Sequence, residues 1–255
     1  MRGYLRVTGL TRRSTRPRTV RQTALPAWLQ DEISVLRKET NFGAIKLQRI
    51  LRVAFHHRTV HRFLKHKGLV PEQPSYRRPK LQPTIHMHAK NVSTIGYCQM
   101  DVKYVTPQLS GLPWTVFEYA LIDIYSRYKE ALIVPNLDAH ASVSFLRVIL
   151  PQMPFPVRFI QTDNGLEFQS EFLEYLREQT IDHHFVHKNS PNENAIIERS
   201  FRTDEEEFFF WRYTRARDLH DLNDQFQSYL HFYNHERPHL GIDLMTPVEK
   251  MRSLP

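Results

Sequence analysis

One cysteine, Cys98, occurs in 255 residues. That excludes an internal disulfide and any multi-cysteine zinc site, and it fits a reducing compartment. No apolar run approaches about 18 residues, so no membrane-spanning helix is expected. The Arg-rich N-terminus lacks the continuous apolar stretch of a signal peptide. Acidic residues are scarce in the first hundred positions: residues 1–100 hold 20 Lys+Arg against 4 Asp+Glu, whereas residues 101–255 hold 15 against 23. The basic portion points to a polyanion partner, most simply DNA, although a solvated basic surface explains basicity alone equally well. The acidic portion suits a domain that concentrates carboxylates. The length fits one or two domains with a sizeable core.

The most informative stretch runs from Asp163 to Glu198. Val157 to Ile160 reads as a short strand, stopped by Asn164-Gly165, which tolerate positive φ. Asp163 is thereby placed at the C-terminal end of a strand, where α/β sheets build their sites. Glu198 follows 35 positions later in a predicted helix. Asn194 is its expected N-cap, and Ile197, Phe201, Phe208 and Trp211 fall near one face, interrupted by Asp204 and Glu205. Upstream, Asp101 lies in the strand-like run Tyr97 to Val105. Three carboxylates from two strands and a helix can hold two hard divalent cations, and a pair ~3.5–4 Å apart can clamp both oxygens of a phosphodiester displacement.

Asp101, Asp163-Asn164-Gly165-x-Glu167-Phe168 and Asn194-Ala195-x-x-Glu198-Arg199 resemble the Asp-Asp-Glu catalytic core of insertion-sequence transposases and retroviral integrases. The tail Tyr233-Asn234-x-Glu236-Arg237-Pro238-His239, with Thr246-Pro247, is similar to the end of the same cores, so the resemblance covers roughly residues 96–255. It implies a ribonuclease H-like α/β fold. It implies a DNA transposase or integrase that uses Mg²⁺ or Mn²⁺, two ions in the DNA-bound state, to cleave and transfer strands at transposon ends. Asp101 would bridge both ions, with Asp163 on one and Glu198 on the other. The implied partners are element-end and target DNA and further copies of the chain on DNA. The implied setting is the bacterial cytoplasm, associated with the nucleoid, with no membrane. A non-catalytic DNA-binding relic and a ribonuclease H-like nuclease are the alternatives. Three features depart from the family pattern: the Asp163–Glu198 spacing is one residue shorter than in many relatives, Cys98 stands where they often have tryptophan, and the upstream DNA-binding module looks incomplete.

Four segments are expected. Residues 1–26 are a basic segment, similar at Gly9 to Pro17 to a family linker. Residues 27–70 are a helix-turn-helix module with helices at Ala27 to Lys38, Ala44 to Arg52 and His57 to Lys67. The last carries Arg58, Thr59, His61, Arg62 and Lys65 on its outer face as candidate DNA contacts. Residues 71–94 are a Pro-rich basic linker, and residues 95–255 the catalytic core with its C-terminal helix.

The core should be a mixed five-stranded sheet with flanking helices. Its strands are expected at Tyr97 to Thr106, Thr115 to Ile124, Tyr128 to Pro135, Val157 to Ile160 and Ile181 to Val186. The first three form an antiparallel meander, and the later crossovers are parallel. Helices are expected from Asp138 to about Leu150, Ser170 to Gln179 and Leu219 to Tyr233. Lys188, in a turn-rich loop, and Arg202, one turn beyond Glu198, are further candidate phosphate contacts, with a solvated face as the plainer account of Arg202. Asp123 is expected to pair with Arg127 or cap the turn, Glu167 to be an acid at a helix start, and Glu205 to Glu207 to form a solvated face. The abundant histidines lack cysteine partners and read as surface or phosphate-facing groups rather than zinc ligands.

Overall fold

The computed structural model describes residues 25–70, 92–186, 193–210 and 216–254. Its first elements are three helices, α1 (Ala27–Thr40), α2 (Ala44–Ile50) and α3 (His57–His66), each within two residues of expectation. Leu29, Ile33, Leu47, Val60 and Leu64 bury one small core. Asn41 ends α1 at φ 54, a conformation its short polar side chain tolerates. The Arg37 guanidinium ties that turn down by donating to the carbonyls of Asn41, Phe42 and Leu69.

The sheet follows. β1 (Tyr97–Val105) leads through a short α4 (Pro107–Ser110) to β2 (Val116–Asp123) and β3 (Lys129–Val134). Then come α5 (Ala139–Ile149), β4 (Phe159–Thr162), α6 (Glu171–Glu178), β5 (Asp182–Phe185), α7 (Ala195–Asp204), α8 (Leu219–His235) and α9 (Pro247–Arg252). The strand order is β3-β2-β1-β4-β5, antiparallel across the first three strands in sequence and parallel from β1 to β4 and β5. This is the mixed five-stranded sheet expected. β4 begins two residues later than the apolar run predicted. Its pairing with β1 opens at Tyr97↔Phe159, because Gly96 turns the chain there and accepts the N–H groups of both Arg158 and Phe159. Gly96 sits at φ +96, and a Cβ on it would lie 2.7 Å from the Pro156 carbonyl oxygen, so only glycine fits.

Alternation along β1 divides the two layers. Cys98 and Met100 join α5 and α6 in a core with Phe145, Leu146, Ile160 and Phe172. The opposite face carries Gln99, Asp101 and Lys103, and there Val105, Ala120 and Ile122 pack with Phe201, Phe208 and Phe226 of the α7–α8 layer. Asp101 thus faces the helix that bears Glu198. Asp123 caps the β2–β3 turn rather than pairing with Arg127: it accepts from the Ser126 N–H and hydroxyl, both at 2.7 Å, and from the Gly96 N–H at 2.8 Å.

Four acidic positions in and beyond α7 correct the sequence reading. Asp204, which appeared to break the apolar stripe, is buried and pairs with buried Lys129 at 2.5 Å. Glu205–Phe209 then forms a π turn, closed by the Phe210 N–H on the Glu205 carbonyl, and the extra residue rotates both Phe208 and Phe209 inward. The three glutamates are not a solvated face. Glu205 meets Lys103 at 2.6 Å, Glu206 meets Arg202 at 2.9 Å, and Glu207 joins Arg237 at 2.6 Å to Lys46 at 3.1 Å. The last of these links, with Phe42 stacked on Phe232 at 6.1 Å, seats the N-terminal helices on the core.

α8 closes the sheet edge. Asn223 and Asn234 each exchange two hydrogen bonds with the backbone of β3, at Ile133 and Lys129, and Gln227 donates to Ala131. The free edge groups of β3 are thus answered by helix amides, which blocks pairing with another strand. No helix among the described residues is long and apolar enough to cross a membrane.

Candidate active site

β1 and β4 repeat a short pattern: Gln99-Met100-Asp101 on one, Gln161-Thr162-Asp163 at the end of the other. Their parallel register sets Gln99 directly against Gln161. Each aspartate stands two residues beyond its glutamine, on the same face and at the same end of the strand pair. The glutamines were not among the expected site residues, yet both are buried. Two amides of one kind at matched distances before the two acids were the available signal.

The glutamines hold the start of α7. The side-chain amides of Gln99 and Gln161 both donate to the Glu193 carbonyl, Gln161 at 2.6 Å, and the Gln99 carbonyl oxygen accepts the Ile197 N–H at 3.1 Å. Asn194 does not cap the helix with its side chain, as the sequence led us to expect. Its amide donates instead to Asp101 Oδ2 at 3.0 Å. Asp101 Oδ1 accepts the Val102 N–H at 2.8 Å, and Asp163 Oδ1 accepts the Gly165 N–H at 2.9 Å. Glu198 follows one turn into α7 and is exposed, while Asp101 and Asp163 are half-buried.

Burial, then the charges of Asp163, Glu198 and Glu167, push the Asp101 carboxyl up to about 7 against the pull of the Val102 N–H. Four acids therefore share one electrostatic neighbourhood. Glu167 lies in a tight turn, Leu166–Phe168, with its carboxylate folded over Gly165. A Cβ at Gly165 would come within 2.6 Å of it. Among the described residues, no three His, Cys, Asp or Glu side chains stand close enough to hold an ion jointly. The donor set nonetheless fits a hard divalent cation: all its ligands are oxygen, and its charges repel until one is bound. Asp101 and Asp163 lie half-buried at the same end of the β1–β4 pair, and Glu198 is exposed on α7.

Of the candidate DNA contacts, Arg58, His61, Arg62 and Lys65 are exposed on α3, and Thr59 is half-buried. Arg202 is exposed and donates to Glu206 at 2.9 Å. Lys188 lies outside the described residues. Near the end of β4, Thr162 Oγ1 and His183 Nε2 stand 3.0 Å apart, and burial, then His184, hold the His183 ring down at about 4, hence neutral.

Residues 179–247, a span that includes Glu198 and the tail motif, match the family described as Integrase core domain. That part of the chain is similar to an integrase core. The integrase-named ORF3 protein of Spiroplasma virus SpV1-C74 is 24% identical over 193 residues, 69% of this chain and 53% of that one. The chain thus spans about half the length of that relative. Two solved structures show the same fold at low identity. The HTLV-2 integrase catalytic core domain in complex with magnesium gives a TM-score of 0.51 at 15% identity, covering 62% of this chain and 98% of its own. The simian T-cell lymphotropic virus intasome, solved with a PP2A regulatory subunit, gives 0.55 at 16%, covering 87% and 75%.

The glutamine clasp has a measurable consequence. Gln99→Leu leaves the Ile197 N–H without its acceptor, a loss of about 1–3 kcal/mol for a buried group. Hydrogen exchange at Ile197 is expected to accelerate by one to two orders of magnitude, roughly the same energy expressed as a rate. Unchanged protection there would show that α7 is held by its apolar face alone.

Proposed function

We propose that this chain is a DNA transposase or integrase that cleaves DNA at element ends and transfers the strand, using divalent cations held by Asp101, Asp163 and Glu198. The observation that carries the reading is the placement of Asp101 on β1 and Asp163 just past the end of β4, each two residues beyond the paired Gln99 and Gln161, with Glu198 on the helix that packs on this face. Bound Mg²⁺ or Mn²⁺, two ions once DNA is present, would activate the attacking oxygen and stabilise the leaving one.

The chain's own residues do the positioning. Asn194 orients the Asp101 carboxylate, and the glutamine pair fixes the start of α7 so that Glu198 can reach the aspartates. α3 enters the major groove with Arg58, Thr59, His61, Arg62 and Lys65, reading bases, while Lys188 and Arg202 grip phosphate. The four-segment organisation, 1–26, 27–70, 71–94 and 95–255, then places recognition before chemistry along the chain. Several copies assemble on the two element ends, in the bacterial cytoplasm at the nucleoid. One observation favours a different reading, a DNA-binding relic: the third acid, Glu198, is exposed, and among the described residues no three acids stand close enough to hold an ion jointly.

The test is a purified chain incubated with duplexes carrying the inverted repeats that flank its coding region. The expected result is nicking at the repeat ends and joining to target DNA with Mg²⁺ or Mn²⁺, and none with chelator. Binding without cleavage under every metal condition would replace this reading with the relic.

A further inference from the structure

A cleft of about 320 Å³ opens on the flank of α7, where the N-terminal helices, the β2–β3 turn and the tail motif meet. Four cations line it, each from a different segment: Lys46 of α2, Arg127 of the turn, Arg199 of α7 and Arg237 of the tail. No carboxylate is among its described lining residues.

The local charges do not cancel. Arg237 forms the floor, 6% exposed, with two nitrogens on Glu207 at 2.6 and 2.8 Å and a third 3.1 Å from His239 Nδ1. Glu207 also serves Lys46 at 3.1 Å, so one carboxylate answers two cations. Arg199 stands 4.0 Å from Glu206, and Arg127 gives its guanidinium to the neutral Ile124 carbonyl, with the Asp123 charge, already capped by Ser126 and Gly96, acting on it from the turn. Lys46 registers the surplus: burial, then the charge of Arg237, hold its ammonium down to about 8 in spite of Glu207. Ile196 and Leu240 add an apolar wall to this positive cleft.

A cationic floor beside an apolar wall suits a phosphodiester with its deoxyribose. The location suits the same ligand. Arg199 directly follows Glu198, so cleft and acids lie on neighbouring faces of α7, about 100° apart. Lys46 belongs to the helix that precedes α3. We propose that this cleft binds one backbone phosphate of DNA between the recognition helix and the acids, setting the register at which the strand reaches the active site. The proposal rests on the DNA reading above.

The test measures binding of the full chain to a fluorescent random-sequence duplex across a salt series. Arg199→Gln and Lys46→Gln are each expected to lower the slope of log affinity against log salt by about 0.9, the counterion release of one phosphate. Arg177→Gln, the same charge change on α6 across the sheet, leaves the slope unaltered. Arg199 is at the surface and its loss does not endanger folding. Lys46→Gln keeps a donor for Glu207, with thermal melting as the check, and if it fails to fold, Arg199→Gln decides alone. A wild-type slope in Arg199→Gln overturns the cleft while leaving DNA binding intact. An equal fall in Arg177→Gln also overturns it, since charge loss anywhere would then suffice. If the unmodified chain fails to bind duplex at low salt, it is the DNA reading itself that falls.

Discussion

Asp101→Asn and Asp163→Asn are each expected to abolish strand transfer while leaving duplex binding within a few-fold of the unmodified chain. Either change removes one negative charge from an all-oxygen donor set, and at Asp101 it also replaces Oδ2, the acceptor of the Asn194 amide, by an amide donor. The Asp101 substitution keeps an acceptor for the Val102 N–H, and the Asp163 substitution keeps one for the Gly165 N–H. A cation's electrostatic stabilisation of the transition state is worth several kcal/mol, so its loss corresponds to about a thousandfold or more in rate. Glu198→Gln should reach the same end with an intact fold, because that side chain is exposed. A single-turnover assay with each variant decides the matter. Full cleavage and joining by any of the three, free of contaminating nuclease, would remove that residue from the site.

The largest effect on stability is expected at Lys129. Its ammonium and Asp204 are fully buried between β3 and α7, with the Tyr233 ring 4.6 Å from the ammonium. Lys129→Met strands a buried carboxylate, which typically costs about 3–5 kcal/mol. For a chain of this size that lowers Tm by roughly 10 °C. The double variant Lys129→Met with Asp204→Leu removes both charges and should recover most of the loss.

Glu118 stands in the same layer, buried, with neither carboxyl oxygen hydrogen-bonded among the described residues. Burial, then the charge of Asp204, raises its carboxyl well above the usual range. A raised carboxyl contributes stability that is complete below the ordinary glutamate range and is lost as pH climbs through the elevated value. Glu118→Gln should therefore stabilise the fold increasingly toward alkaline pH. Melting curves across a pH series check both statements. A double variant no more stable than Lys129→Met would show that packing, not charge, holds this layer.

The sequence made the elements and the acids legible because both rest on local signals. Strand-like runs with short connections marked β1 to β3, helical spacing marked α1 to α3, and Asn164-Gly165 marked the end of β4. Long-range pairings left no such trace. Asp204 and Glu205 to Glu207 look like a polar helix face until Lys129, Lys103, Lys46 and Arg237 arrive from four other segments. The π turn, which carries Phe208 and Phe209 inward, breaks the 3.6-residue period on which the stripe was drawn. Asn194 fits the usual residue preference at a helix start, yet tertiary contact with Asp101 claims its side chain. Gln99 and Gln161 gained meaning only when the parallel register set them side by side.

The central claim is that Asp101, Asp163 and Glu198 become one metal site when DNA binds. Titration calorimetry of Mn²⁺ into the chain, with and without an element-end duplex, tests it most directly. Weak binding is expected without DNA, led by Asp101 and Asp163, because Glu198 is exposed and no three acids among the described residues converge. With DNA, scissile phosphate oxygens join the carboxylates, and binding should tighten and rise in stoichiometry toward two. Metal affinity indifferent to DNA, or no metal bound in either case, would contradict the claim and leave a protein that binds DNA without cutting it.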